Sequence, residues 1–571
     1  MKHFLLSIGL LLLGAWGPQR ARAQAPAWQS ARAVATATAL ASNNYSDVTA
    51  PAVDAAGNVF LIGTFSNTVV LGGTTLTSAG GDDVFVAKFN PVSNQFVWAQ
   101  RAGGPNFEFA TALVVSGTSV YVAGYFQAPT ASFGAITLTS TGFIDAFVAK
   151  LTDAGSTGSF VWAQQVRGAN DETAFALAVS GPSVYVTGYF SSPTASIGTT
   201  TLTNAGTLGA RDVYVAKLTD AGSTGSFAWA QRAGGSNSDE STALAVSGTS
   251  VYVAGYFTSG TAGFGSTTLT NAGSDDLFVA KLTDAGSTGS FTWAQRAGGT
   301  SGEQARALAV SGNSVYVAGD FLSPTVGFGA TTLTNAGPGD YDMFVAKLTD
   351  AGSTGNFVWA QRAGGTSGEQ ARALAVSGNS VYVAGDFLSL TVGFGATTLT
   401  NSNSSPVSTD VFVAKLTDAG GTGSFAWAQR AGGTGNDNAR TVVVSGTSVH
   451  VAGSFYERTT AFGTIILTNP FPNFRALGFL ASLTDPTLTA TTAGRALAPA
   501  SLFPNPARHT VALRLPAGTG PAPLTLTDAQ GRTVRRYPAP AGPEAALDLG
   551  GLPAGLYLLR GAGPALRLAV E

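Results

Sequence analysis

A unit of 64 to 70 residues recurs seven times along this chain, and that repetition limits what it can fold into. One copy runs from Trp293 to Val358. It reads Trp-Ala-Gln-Arg-Ala-Gly-Gly, an acidic loop, Ala307-Leu308-Ala309-Val310, Val315-Tyr316-Val317-Ala318-Gly319-Asp320-Phe321, a Gly/Thr-rich excursion, and Phe344-Val345-Ala346-Lys347-Leu348-Thr349-Asp350. The register is set by Trp28, Trp98, Trp162, Trp229, Trp293, Trp359 and Trp427. Each unit offers four strand candidates, clearest at Ala243–Val246, Val251–Phe257, Leu277–Leu282 and Phe291–Gln295. Small Ala alternates with Val, Leu, Tyr or Phe in these runs, the pattern of a sheet buried on both faces. Four strands in so short a unit enclose no private core, so each sheet must stack on its neighbours. Radial stacking predicts an all-β, seven-bladed β-propeller of four-stranded blades over residues 24–485. Trp28 to Ala35 has no preceding partner strand, and Leu477 to Asp485 has no Trp segment after it. The N-terminal strand is therefore expected to complete the last blade.

Composition narrows the chemistry. Charged residues make up 11% of the chain and the formal net charge is −2, which gives no electrostatic case for nucleic acid. There is no Cys, and the three His are His3, His450 and His509. Thiolate metal sites are excluded, and a His-based metal cluster or Ser/His/Asp triad in the repeats is not expected. No cofactor is expected.

Residues 1–23 read as a signal peptide: Lys2, an apolar run from Phe4 to Trp16 too short to span a bilayer, and Ala21-Arg22-Ala23 as the cleavage site. No transmembrane span is expected in the mature chain. Residues 486–500, rich in Thr, Ala and Pro, read as a linker. From 501 to 571 the repeat stops and new strand candidates appear, with Asp528-Ala529-Gln530-Gly531 as a hairpin turn.

Two resemblances follow from these residues. Val251-Tyr252-Val253-Ala254-Gly255-Tyr256-Phe257, Phe278-Val279-Ala280-Lys281-Leu282 and Trp293-Ala294-Gln295-Arg296 resemble the bacterial seven-bladed β-propeller repeat family, which implies a fold and hardly any activity. Leu502-Phe503-Pro504-Asn505-Pro506, Asp528 with Gly531-Arg532, and Leu552-Pro553-Ala554-Gly555-Leu556-Tyr557 are similar to the type A C-terminal sorting domain of the bacterial type IX secretion system. That second resemblance implies a small β-sandwich-like domain that engages the secretion machinery. It also implies passage through the outer membrane of a member of the Bacteroidetes, and release or surface attachment. The acidic end, Glu571, departs from relatives that end in a basic residue.

Several repeated columns are candidates for chemistry. The turn Asp-Ala-Gly-Ser-Thr-Gly starts at Asp153, Asp220, Asp284 and Asp350, with a variant at Asp418. It resembles the Asp-box turn of sialidase-type propellers, except that Gly158 stands where the box has an aromatic. Its expected role is local, a carboxylate accepting backbone N–H bonds. The acids Glu108, Glu172, Asp239, Glu303, Glu369 and Asp437, with Ser46 or Asp47 in the first unit, read either as a cation- or polyol-binding rim or as stitches tying each loop to the neighbouring blade through backbone N–H groups, and repetition in every unit favours stitches. The Lys column (Lys88, Lys150, Lys217, Lys281, Lys347, Lys415) and the Arg column (Arg101, Arg232, Arg296, Arg362, Arg430) are expected on solvated faces and as edge protection. His450 stands where other units have Tyr or Phe and reads as a packing substitute.

Two columns break the symmetry. One holds Thr49, Thr111, Phe175, Thr242, Arg306, Arg372 and Arg440. The other holds Thr64, Tyr125, Tyr189, Tyr256, Asp320, Asp386 and Ser454. Arg306 with Asp320, and Arg372 with Asp386, read as pairs within their blades or as half of a ligand patch completed by Tyr125, Tyr189 and Tyr256. Tyrosine faces and Arg/Asp donors and acceptors suit sugars. No metal site and no catalytic constellation is expected. The favoured expectation is a secreted or cell-surface, non-catalytic binding or adhesion module for an extracellular glycan or protein. The alternatives are a carbohydrate-active hydrolase or lyase using Asp320 and Asp386, and a structural surface-coat protein.

Overall fold

The computed structural model describes residues 25–35, 45–127, 129–207, 209–403, 407–470, 475–488, 501–503, 506–514, 523–528, 530–540, 544–561 and 566–571. The segment read as a signal peptide, most of that read as a linker, and Pro504 and Asn505 of the sorting motif lie outside the described residues. The chain forms two compact units, 1–487 and 488–571.

The first unit is a seven-bladed β-propeller. Its innermost strands are Tyr45–Val53, Glu108–Ser116, Glu172–Ser180, Asp239–Ser247, Glu303–Ser311, Glu369–Ser377 and Asp437–Ser445. They touch in that order, and the last touches the first again. Each begins an antiparallel blade, numbered one to seven here. In blade four the strands are Asp239–Ser247, Ser250–Phe257, Asp276–Asp284 and Gly289–Ala297, hydrogen-bonded in sequence order. The last blade takes its fourth strand from the N-terminus. Trp28–Ala33 pairs antiparallel with Leu477–Thr484, as the unmatched ends of the repeat require. It covers the edge that Leu477–Thr484 would otherwise leave open.

The core lies between blades. Tyr252, Val279 and Trp293 of blade four share one buried cluster with Val317, Phe344 and Leu348 of blade five. Alternation of small and large residues along each strand lets one sheet's large side chains seat over the next sheet's alanines.

The Thr-rich excursion is more ordered than the sequence indicated. It forms a short hairpin, Thr261–Phe264 with Thr267–Thr270 in blade four, turning at Gly265 with φ of 60°. β-branched Thr favours the extended backbone, and Phe264 buries against Phe278 and Phe291. Gly234 and Gly235, at the end of blade three's outer strand, pair with this hairpin. The excursion therefore ties neighbouring blades together.

The Lys column corrects its reading as a solvated face. Lys88, Lys150, Lys217, Lys281, Lys347 and Lys415 are all buried. Each ammonium meets an Asp of the next blade, Asp153, Asp220, Asp284, Asp350, Asp418 and Asp485 in turn, at 2.6 to 2.8 Å. The same Asp accepts further bonds from the earlier blade. Asp350 takes the Trp293 indole at 3.0 Å and the Tyr252 hydroxyl at 2.6 Å. The turn role holds as well, since Gly352 N–H donates to Asp350 at 2.9 Å. The apolar stems of the Lys column lie inside the stack, and only a carboxylate at the tip makes that burial tolerable. The last Gly of the turn faces the same Trp column: a Cβ on Gly355 would come within 2.8 Å of the Trp293 ring. A neighbouring blade's indole thus fills the place an aromatic residue takes in an Asp-box.

The Arg column is corrected in part. Arg232 and Arg362 pair at 2.8 and 2.7 Å with the fully buried Asp212 and Asp342 of their own blades, while their guanidinium ends remain half-exposed.

The second unit packs a three-stranded and a four-stranded sheet around Val511, Leu526, Leu547, Tyr557 and Leu568. It is the small β-sandwich expected for the C-terminal segment.

Candidate functional site: the central cavity

Every innermost strand carries a β-bulge at the same position. The register slips between Val48 and Ala50, and between Ala110 and Ala112. It slips likewise between Ala174 and Ala176, Ser241 and Ala243, Ala305 and Ala307, Ala371 and Ala373, and Ala439 and Thr441. The skipped residues are Thr49, Thr111, Phe175, Thr242, Arg306, Arg372 and Arg440. A bulge re-aims one side chain away from the pleat. Here all seven line one cavity of about 380 Å³, where Glu240, Tyr256 and Gln304 join them.

The bulge explains the Gly of each second strand. A Cβ on Gly255 would overlap the carbonyl oxygen of Glu240, and one on Gly319 would overlap that of Gln304. The other five blades repeat this relation. The carbonyl two residues before the bulge occupies the space a side chain would need.

The wall of the cavity has two characters. Thr111 donates to the Ala174 carbonyl of the next blade at 2.7 Å, and Thr242 donates to that of Ala305 at 2.6 Å. These hydroxyls stitch blades. Phe175 packs on Tyr189, with ring centroids 5.7 Å apart. Across the cavity stand three consecutive arginines. Arg306 grips Asp320 through Nε and through Nη2 at 3.2 Å. Arg372 holds Asp386 in the same way and also donates to Gln370 at 2.7 Å. Arg440 donates to Asp47 of blade one at 3.2 Å. Each cation therefore has a carboxylate behind it, and the arc is close to charge-balanced. Burial lifts the Asp320 carboxyl, against the pull of Arg306 and Arg372.

The seven candidate residues therefore fall into tiers. Arg306, Arg372 and Tyr256 line the cavity. Asp320 and Asp386 are buried behind them as ion-pair partners. Tyr125 stacks on Phe109, with ring centroids 5.2 Å apart. Tyr189 is buried beneath Phe175 and the Arg211 guanidinium, which lies 4.4 Å from its ring centroid. The three tyrosines do not form one open platform. Arg440 and Phe175 belong to the lining although only their column marked them. Glu240, paired with Arg211, and Gln304 also line the cavity, brought there by a bulge that the strand pattern alone does not reveal.

Five of the six repeated acids, all but Glu172, accept a backbone N–H from the turn that enters their blade. Gly299 N–H donates to Glu303 at 2.6 Å and Gly365 N–H to Glu369 at 2.8 Å, each across the turn that enters a blade. Burial, with neighbouring carboxylates adding to it, pushes Glu108 and Glu369 up to about 8 and Glu172 up to about 7. Burial also takes Asp239 up to about 6. Among the described residues, no group of three or more His, Cys, Asp or Glu side chains is placed to hold a metal ion. Nor, among them, is any helix long and apolar enough to cross a membrane.

In the second unit, Asp528 caps its turn by accepting from Gln530 N–H and Arg532 N–H at 3.0 Å, with Arg532 Nε at 2.7 Å. Gly531 takes φ of 82° there. Tyr557 is buried and donates to the Pro553 carbonyl at 2.7 Å, while Pro506 and Gly555 are exposed.

No curated protein sequence matches the chain. Among solved structures, parainfluenza virus 5 hemagglutinin-neuraminidase is similar at 8% identity and a TM-score of 0.30, covering 80% of this chain and 95% of that one. Drosophila Semaphorin 2a is similar at 8% identity and a TM-score of 0.23, covering 92% and 85%. Residues 501–563 match the secretion system C-terminal sorting domain, and with the capped Asp528 turn and buried Tyr557 they mark this protein as one sorted for export by the type IX system.

Proposed function

We propose that the mature protein is a non-catalytic binding module, attached to the outer surface of a Bacteroidetes cell or released from it, that takes an extracellular glycan in its central cavity. One observation carries this reading. Seven equivalent bulges aim one side chain each into a single cavity, and there the repeat, so regular elsewhere, diverges into Thr, Phe and Arg. The Arg arc supplies donors whose charge is already balanced, which suits hydroxyl-rich ligands better than free anions. Phe175 and Tyr256 supply apolar faces. The non-catalytic reading rests on Asp320 and Asp386. Each is held by an arginine within its own blade, so neither stands free as the acid or base a hydrolase needs.

The test is a glycan-array screen of the exported protein, read for retention and for loss of arrayed sugar. Retention without loss, abolished by Arg306→Ala with Arg372→Ala, is the expected result. Loss of sugar would establish the hydrolase or lyase alternative. A blank array would favour a protein partner or a surface-coat role.

A further inference from the structure

Six of the seven blade junctions carry the Lys–Asp clasp, and the seventh does not. At the junction of blade seven with blade one, His450 stands in the register of Tyr382, and Ser482 in that of Lys415. The blade-one turn is shorter: Lys88 to Trp98 spans ten positions where Lys150 to Trp162 spans twelve. It reads Phe-Asn-Pro-Val-Ser-Asn-Gln-Phe and holds no carboxylate. The lost groups leave a cavity of about 370 Å³, lined among others by Arg32, Phe89, Asn94, His450, Leu480 and Ser482.

The donors of a clasp remain in altered form. The Arg32 guanidinium lies 4.3 Å from the Phe89 ring centroid, and its Nη1 donates only to the neutral oxygens of Asn94, at 3.1 and 2.8 Å. Its Nε is buried and has no partner among the described residues. Burial pulls its pKa down, as expected for a cation without an anion. Burial also pushes the His450 imidazole down to about 4, so the ring is a neutral donor at physiological pH. The chain has no acid to spare nearby: residues 1–24, 36–44 and 489–500 contain no Asp or Glu.

The geometry points to a second ligand site at this junction, one that takes a small organic carboxylate in the place the Asp occupies in the other six clasps. The Arg32 guanidinium and the imidazole would bind the carboxylate, and Phe89 and Leu480 would face an apolar body. This site is separate from the central cavity and does not depend on how that cavity is used.

The test uses the full exported chain with sodium benzoate as probe, benzamide as its neutral isostere and inorganic phosphate as a simple anion. Saturable thermal stabilisation by benzoate and none by benzamide is expected. Arg32→Gln should weaken benzoate binding by about tenfold or more, the usual scale for losing a hydrogen bond to a charged group. Gly260→Ala, in blade four where an added Cβ meets nothing within 4 Å, should leave it unchanged. The benzoate–benzamide contrast on the native chain is a reading independent of how Arg32→Gln folds. Equal responses to benzoate and benzamide, no response to either, or a phosphate response as strong as that to benzoate would overturn the assignment.

Discussion

Lys281 Nζ lies 2.6 Å from Asp350 Oδ2, and the two residues belong to neighbouring blades. Both are buried, and Asp350 also accepts from Tyr252 and Trp293 of the earlier blade. A repeat protein is stabilised by the interfaces between its units, and this clasp recurs at six of seven junctions. Asp350→Ala would strand a buried ammonium and should cost about 3–5 kcal/mol. Pairing Asp350→Leu with Lys281→Met removes both charges and should recover much of that loss. Urea unfolding of the native protein and these two variants checks both statements.

The bulge predicts an unusual sensitivity to a methyl group. Gly255→Ala places a Cβ on the Glu240 carbonyl oxygen, so the bulge of blade four must move. A loss of at least about 1–3 kcal/mol is expected, the range for overpacking. Gly260→Ala, where an added Cβ meets nothing within 4 Å, should be close to neutral. Comparing the two melting temperatures separates a requirement for the bulge from a general cost of replacing Gly.

Acid–base behaviour should place the stability maximum on the acid side of neutrality. Glu108 and Glu369, raised by burial to about 8, bind protons in the folded state that they release in the unfolded chain from about pH 4 upward. Stability therefore falls as pH rises from about 4 to 8. The clasp acids Asp220, Asp284, Asp350, Asp418 and Asp485, lifted by burial but held down by their Lys partners, act in the opposite direction. Burial raises Asp485, but Lys415 and Tyr382 outweigh it and bring it down to about 2. Its contribution is present above about pH 4 and is lost as pH falls through 2. A thermal-unfolding series from pH 2 to 9 should peak near about pH 4–5. A maximum at pH 8 would contradict the placement of the acids.

The N-terminal strand should be required for a stable ring. Deleting residues 25–35 removes the fourth strand of blade seven and exposes the edge of Leu477–Thr484. The shortened protein is expected to melt at lower temperature and to self-associate, as measured by calorimetry and light scattering.

Most of the architecture was legible because the repeat states it seven times. The strand runs and the unmatched ends were enough to place Trp28–Ala33 in the last blade, but the Trp register fails there: Trp28 pairs with Leu483 as Phe425 does with Leu416, and Ser30 takes the place of Trp427. The charged columns were misread for a physical reason. Period-two patterning separates inside from outside on an exposed sheet, but in a stacked blade both faces are inside. Lys281 therefore reads as surface while its stem is buried and its tip meets another blade's Asp. The site was legible only as columns. Arg306 and Arg372 were marked by their asymmetry, but the bulge that turns them inward leaves no direct trace except Gly319 and Gly385 opposite it. The tyrosines failed as one platform because Tyr189 lies beneath Phe175 and Arg211.

The most direct measurement is a titration of the exported protein with a glycan retained in the array screen, repeated with Arg372→Ala. Arg372 lines the cavity and reaches Asp386 and Gln370 without joining any inter-blade clasp. The account predicts a Kd weakened by about tenfold or more, as for a lost hydrogen bond from a charged donor, with the glycan recovered intact. An unchanged Kd with native melting behaviour, or cleavage of the glycan, would contradict it.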